Sequence, residues 1–163
     1  MFAHRSFTFQ AGGLAMAACL LLAAHDASAQ QIVLTNTRPL DFGRFVAQTG
    51  GTITVSPTGA RSKTGTVVLL NSPTVGAAAF NVGKSNGGAT NKSVAITLPG
   101  NGATRLSSGT NNMPLSAFVS SPATILTVPN GGVTLSVGAT LTVAANQPRG
   151  SYKGTVPLIV NFQ

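Results

Sequence analysis

The sequence predicts an all-β domain of the sandwich or barrel type. Three observations carry that reading. Apolar residues alternate with polar ones over short runs, as at Val94, Ile96 and Leu98, the period-2 mark of a half-buried strand. Turn signals such as Asn130-Gly131-Gly132 punctuate those runs. Charged residues make up only 7% of the chain, against roughly 25% in an average soluble domain. Ser, Thr, Asn and Gly fill the balance, interleaved with Val, Leu, Ile and Ala. Such a composition argues against helix bundles, coiled coils and charge-rich disorder. The 163 residues suit one domain better than two.

The first segment reads as an address. Met1 to Gln10 carries His4 and Arg5, an apolar run spans Leu14 to Ala24, and Ala27-Ser28-Ala29 is an A-x-A cleavage site. We therefore expect a signal peptide over 1–29 and a single domain over 30–163, exported to the periplasm, cell surface or medium. The apolar run is too short for a membrane span, so none is expected after cleavage. Met16-Ala17-Ala18-Cys19 loosely matches a lipoprotein box, but Cys19 lies within the apolar run, ahead of Leu20, Leu21 and Leu22. Cleavage after Ala29 would remove both histidines, the single cysteine, Arg5 and Asp26. Asp41 would remain as the sole carboxylate side chain, and the net charge would stay at +8.

That inventory is the strongest negative evidence. Without His, Cys or Glu there is no Ser-His-Asp or Cys-His arrangement. One Asp cannot supply the paired carboxylates of glycoside hydrolysis, and zinc and calcium sites lack their ligands. No catalytic residue, metal or cofactor is expected. Ser62-Lys63 and Ser151 with Lys153 could be counted as Ser–Lys pairs, but they read as strand-end or loop residues. Gly83-Lys84-Ser85 resembles the end of a phosphate-binding loop, yet the position that requires Gly holds Ala78. Asn91-Lys92-Ser93 is formally a glycosylation sequon and reads as a turn entering a strand.

Short strands and frequent turns follow in order. Ile32 to Thr35, Leu40 to Ala47, Thr52 to Ser56 and Thr66 to Leu70 are the first strand candidates. Thr49-Gly50-Gly51 and a Pro57 to Gly65 loop separate them. Ala78 to Val82 precedes a turn over Ser85 to Gly88, and Ser93 to Leu98 is closed by Pro99. Leu115 to Ser120, Ile125 to Val128, the alternating Val133, Leu135 and Val137, and then Leu141 and Val143 complete the middle of the chain. Val, Ile and Thr dominate, as strand surfaces prefer. In the last strand, predicted over Tyr152 to Phe162, Tyr152, Val156, Leu158, Val160 and Phe162 share the even face. Polar residues hold most of the odd one. Such a strand should be paired within a sheet, with Pro157 where no ladder donor is needed.

Several motifs together resemble a family of secreted bacterial β proteins of unknown function. They are Leu40-Asp41-Phe42-Gly43, the run Gly50 to Pro57 with Ala60-Arg61-Ser62, Val137 to Val143, Ala145-Asn146-Gln147, Gly150-Ser151-Tyr152 and Val160 to Gln163. That family is similar in layout to chaperone–usher pilus subunits, especially the spore-coat-U-like archaic type. The resemblance implies an immunoglobulin-like, pilin-like β-sandwich that lacks its last strand. It also implies a structural or adhesive role, with a periplasmic chaperone, an outer-membrane usher and other pilin-like subunits as partners. Pilins often carry a Gly fourteen residues from the end and a penultimate aromatic in the chaperone-docking strand. Gly150 and Phe162 fill those positions here, Phe standing for the usual Tyr. The disulfide of many pilins is absent. A donor strand needs about four or five alternating apolar side chains. The segment before Leu40 offers Ile32 and Leu34 before Asn36 and Arg38 break the pattern. Ile32 and Leu34 are therefore either a short donor or the first strand of their own domain, and the sandwich is either incomplete or self-complete.

The cations are spread along the chain without aromatic interleaving, so no specific nucleic-acid binding is expected. They read mainly as solubility charge. Arg61 and Lys63, in one predicted loop, are the best local candidates for contact with an anionic surface polymer. The rival to a fibre subunit is a self-contained periplasmic or extracellular module that binds an anionic polysaccharide.

Overall fold

The computed structural model describes residues 31–85 and 90–163. The expected signal peptide, with Cys19 and Ala27-Ser28-Ala29, lies outside the described residues, as does most of the Ser85 to Gly88 turn. The described chain forms strands β1 (Ile32–Arg38), β2 (Phe45–Val46), β3 (Gly51–Val55), β4 (Arg61–Gly65), β5 (Val68–Leu69), β6 (Ala78–Lys84), β7 (Val94–Thr97), β8 (Thr104–Ser108), β9 (Asn111–Ser121), β10 (Val133–Val143) and β11 (Ile159–Phe162). It contains no helix among those residues. The architecture is all-β, with curled antiparallel sheets.

The centre of the fold is β10. Its Ser136 pairs with Ala79 on one edge and Ser121 on the other, and its Thr140 pairs with Thr54 and Ser116. Strand β9 thus runs along one edge of β10, while β6 and then β3 share the opposite edge. The handover falls between Val137, opposite Ala78, and Ala139, opposite Val55. Gly138 occupies it because the backbones meet there: a Cβ would stand against the Val55 carbonyl oxygen and the Ser56–Pro57 peptide. On the other edge β9 carries an extra residue opposite this point, with Ala117 at φ 47°. That bulge bends β9 to follow the fork.

Two clusters of buried side chains form on either side of the fork. One holds Phe42, Ile53, Val55, Met113, Leu115 and Leu141; the other holds Val82, Val94, Ile125, Val128, Leu135 and Val137. Leu40 and Phe118 pack against both. Alternation explains much of this. In β3, Ile53 and Val55 are buried while Thr52 and Thr54 carry cross-strand hydroxyl bonds to Thr64 (2.7 Å) and Thr140 (2.9 Å).

Several elements differ from the sequence reading. Arg61–Gly65, expected as loop, is an edge strand with Lys63 opposite Ile53. It has no apolar face because most of it is solvent-exposed. Strand β8 was not anticipated, since Leu106 is its only large apolar residue. Leu40 to Ala47 is not one strand. The backbone turns at Gly43 (φ 72°), leaving the Asp41–Gly76 bridge and the short β2. Ile125 and Val128 make single bridges, to Val94 and Thr90, rather than a strand.

Replacing Gly138 by Ala should lower stability by more than about 2 kcal/mol in urea unfolding, because the obstructing atoms are backbone. Gly100→Ala, whose Cβ would meet open space, should change it by less than about 0.5 kcal/mol.

Candidate functional site

The expected last strand, Tyr152 to Phe162, is paired over only part of its length. Strand β11 pairs with β7 from Ile159 opposite Thr97 to Phe162 opposite Val94. The Gln163 N–H donates to the Ser93 carbonyl, so the odd residues of β11 occupy the hydrogen-bonded positions of this ladder. Two residues further back, the same register sets Pro157 opposite Pro99. Neither has an N–H to donate, and the ladder stops. Gly154 to Leu158 then runs on without joining a strand. Its backbone has no backbone partner among the described residues. Beyond it, Lys153 is bridged to Ser107 of β8 by bonds of 2.7 and 3.0 Å. Gly154 crosses so close to the Arg105 carbonyl that a Cβ would strike it.

Alternation of burial nevertheless persists throughout. Tyr152, Val156, Leu158, Val160 and Phe162 are half-buried, and every other residue from Ser151 to Gln163 is exposed. None of the five is fully buried. Ile159 is 54% exposed. In β11 the even residues turn their side chains toward the core and their N–H and C=O groups away from β7, onto a free edge. Ile32 and Leu34 lie in β1, the first strand of this domain, opposite Lys84 and Val82 of β6. The Ser85 N–H donates to the Gln31 carbonyl, so the odd residues of β1 face β6. Its even residues present their backbone groups to the other side. The two strands come within 8 Å between Cα atoms but form no ladder. Paired strands lie about 4.8 Å apart, so a strand inserted between them needs about 9.6 Å. At that approach the seam has no room for another strand.

The cleft widens beside the unpaired segment. A cavity of about 340 Å³ lies between Leu40, Phe42, Phe80 and Val137 on one side and Val156 and Leu158 on the other. It continues past Leu40, Phe42, Leu106 and Gly154 into a groove of about 1180 Å³, bordered by Asp41, Arg44, Arg149, Tyr152 and Lys153. The walls run in opposite chain directions, 36–47 on one and 158–147 on the other.

Both walls are fixed by specific bonds. The Asp41 carboxylate accepts the Gly43 N–H at 2.6 Å, and Asp41 exchanges backbone bonds with Gly76. Arg61 donates to the carbonyls of Phe42 (3.0 Å), Arg44 (3.4 Å) and Leu70 (2.7 Å). The guanidinium is thus a clamp on the wall, a role the sequence reading missed although it had grouped Leu40 to Gly43 with Arg61. Lys63 lies exposed on β4, so the structure leaves the two candidate anion contacts in different environments. On the facing wall, the Tyr152 hydroxyl donates to the Pro148 carbonyl (2.8 Å) and accepts from Gln147 Nε2 (2.9 Å). Gly150 packs so tightly on Ser108 that a Cβ would overlap its hydroxyl. No group of three or more His, Cys, Asp or Glu residues forms among the described residues.

A family model described as Domain of unknown function (DUF4402) matches residues 32–162, and the chain belongs to that family. No curated protein and no solved structure matches.

The one-sided burial of β11 sets a mutational contrast. Val160→Asp places a charge against the apolar cluster and should cost about 2 kcal/mol or more. Ile159→Asp should cost less than about 1 kcal/mol. Denaturant unfolding of both variants checks this, and equal losses would contradict the assigned register.

Proposed function

We propose that this DUF4402 domain is an exported structural or adhesive subunit, assembling into a chaperone–usher type fimbria or surface fibre by β-strand addition. In this reading the domain is a pilin-like, immunoglobulin-like sandwich that lacks one strand. Its partners are a periplasmic chaperone, an outer-membrane usher and other pilin-like subunits. The observation that carries the reading is the unpaired run Gly154 to Leu158, lying beside an apolar cavity in line with the free edge of β11. An added strand would satisfy backbone donors and acceptors and fill the cavity with alternate side chains in one step. The resemblance of Gly150 and Phe162 to the pilin chaperone-docking pattern supports the same assignment. Ile32 and Leu34 are already committed to β6, so this chain is a poor donor and a better acceptor.

A second reading rests on a different observation. Arg44, Arg149 and Lys153 border the wide groove, as a self-contained module for an anionic polysaccharide would require. The two readings separate in solution. On size-exclusion chromatography with light scattering, an acceptor domain should form a stable one-to-one complex with a synthetic strand of about ten residues bearing four alternating apolar side chains. Without the peptide it should aggregate or hold loosely. A monodisperse monomer indifferent to the peptide would overturn the acceptor reading.

A further inference from the structure

The cleft has two chemically different ends. Its narrow end is lined by Leu40, Phe80, Val137, Val156 and Leu158. Its wide end carries the cations Arg44, Arg149 and Lys153, all solvent-exposed. None of the three has an ion-pair partner among the described residues. The carboxylate nearest in the sequence, Asp41, is occupied by the Gly43 N–H. One wall supplies Arg44 and the other supplies Arg149 and Lys153, so an extended chain leaving the cavity along the cleft would pass between them.

Resting on the strand-acceptor reading, we propose that the occupant is a strand from a different, acidic protein. Four or so alternating apolar side chains of that strand fill the cavity end. Its acidic flank lies between Arg44, Arg149 and Lys153. A second copy of this chain fits poorly. The 163 residues hold only two carboxylate side chains, Asp26 and Asp41. The second of these is engaged in its own turn hydrogen bond. Two copies at +8 each would also repel at close approach. Charge complementarity at the wide end thus selects a heterologous strand and rejects a homologous one.

The test compares three synthetic strands with the same alternating apolar core, read by calorimetry and size-exclusion chromatography. One has a neutral flank, one an acidic pair at its amino end and one an acidic pair at its carboxyl end. At low salt one of the acidic strands should bind about ten-fold more tightly than the neutral one. The difference should shrink to within about two-fold in roughly 1 M salt. The triple variant R44S/R149S/K153S changes only exposed side chains. It should bind the neutral strand as the parent does and lose the preference for acid. Equal binding of all three strands at low salt would overturn the proposal while leaving the acceptor reading intact. So would self-polymerisation of the protein without any peptide. Binding of a sulfated polysaccharide at the three cations, with no discrimination among the strands, would overturn it in favour of the polysaccharide module. Failure of every strand to bind would overturn both the proposal and the acceptor reading beneath it.

Discussion

Two prolines facing one another shape the most consequential part of this molecule. With Pro157 set opposite Pro99 in the register of β11 and β7, no N–H is available to either side at a position where the ladder requires two. The chain therefore leaves the sheet while still extended, and crosses from β7 to β8, where Lys153 and Ser107 resume the bonding. The unpaired segment begins at this interruption. Val156 and Leu158 face inward without a strand beyond them, and the space they border is the apolar cavity.

The same stretch sits where the core is already divided. Strand β10 serves β6 over its first half and β3 over its second, and the two clusters of buried side chains follow that division. Leu40 and Phe118 bridge the clusters, and the cavity opens next to Leu40. A forked sheet supplies no continuous partner layer above the fork. The walls must therefore be held by discrete devices: the Asp41 turn, the Arg61 clamp on three carbonyls and the Tyr152 network. Walls held by such bonds beside an apolar cavity support the proposed strand-acceptor role.

The sequence disclosed the alternation and concealed the pairing. Period-2 patterning identified the inward set Tyr152, Val156, Leu158, Val160 and Phe162, because side-chain direction is a local property of extended backbone. It could not show that the ladder ends at Pro157, since the partner proline lies 58 residues away in the chain and register is non-local. Strands β4 and β8 were invisible for a related reason. Strand β4 is a solvent-exposed edge without an apolar face, and β8 turns inward only Leu106 beside the polar Thr104 and Ser108, so periodicity has little to register in either. Arg61 was legible as part of a motif but was read as a surface charge. Its three carbonyl acceptors belong to Phe42, Arg44 and Leu70, which only the fold brings together. The cations of the wide groove were equally scattered in sequence, and the antiparallel walls collect them.

The central claim is that a strand position beside Gly154 to Leu158 stands open in the isolated domain. Native-state hydrogen exchange tests it most directly. The amides of Gly154, Thr155, Val156 and Leu158 should exchange orders of magnitude faster than those of Leu135 to Leu141 in β10. Those of Gly154, Val156 and Leu158, whose N–H groups face the open edge, should gain protection when a strand peptide is bound. Protection of these four amides in the peptide-free protein equal to that of β10 would contradict the account.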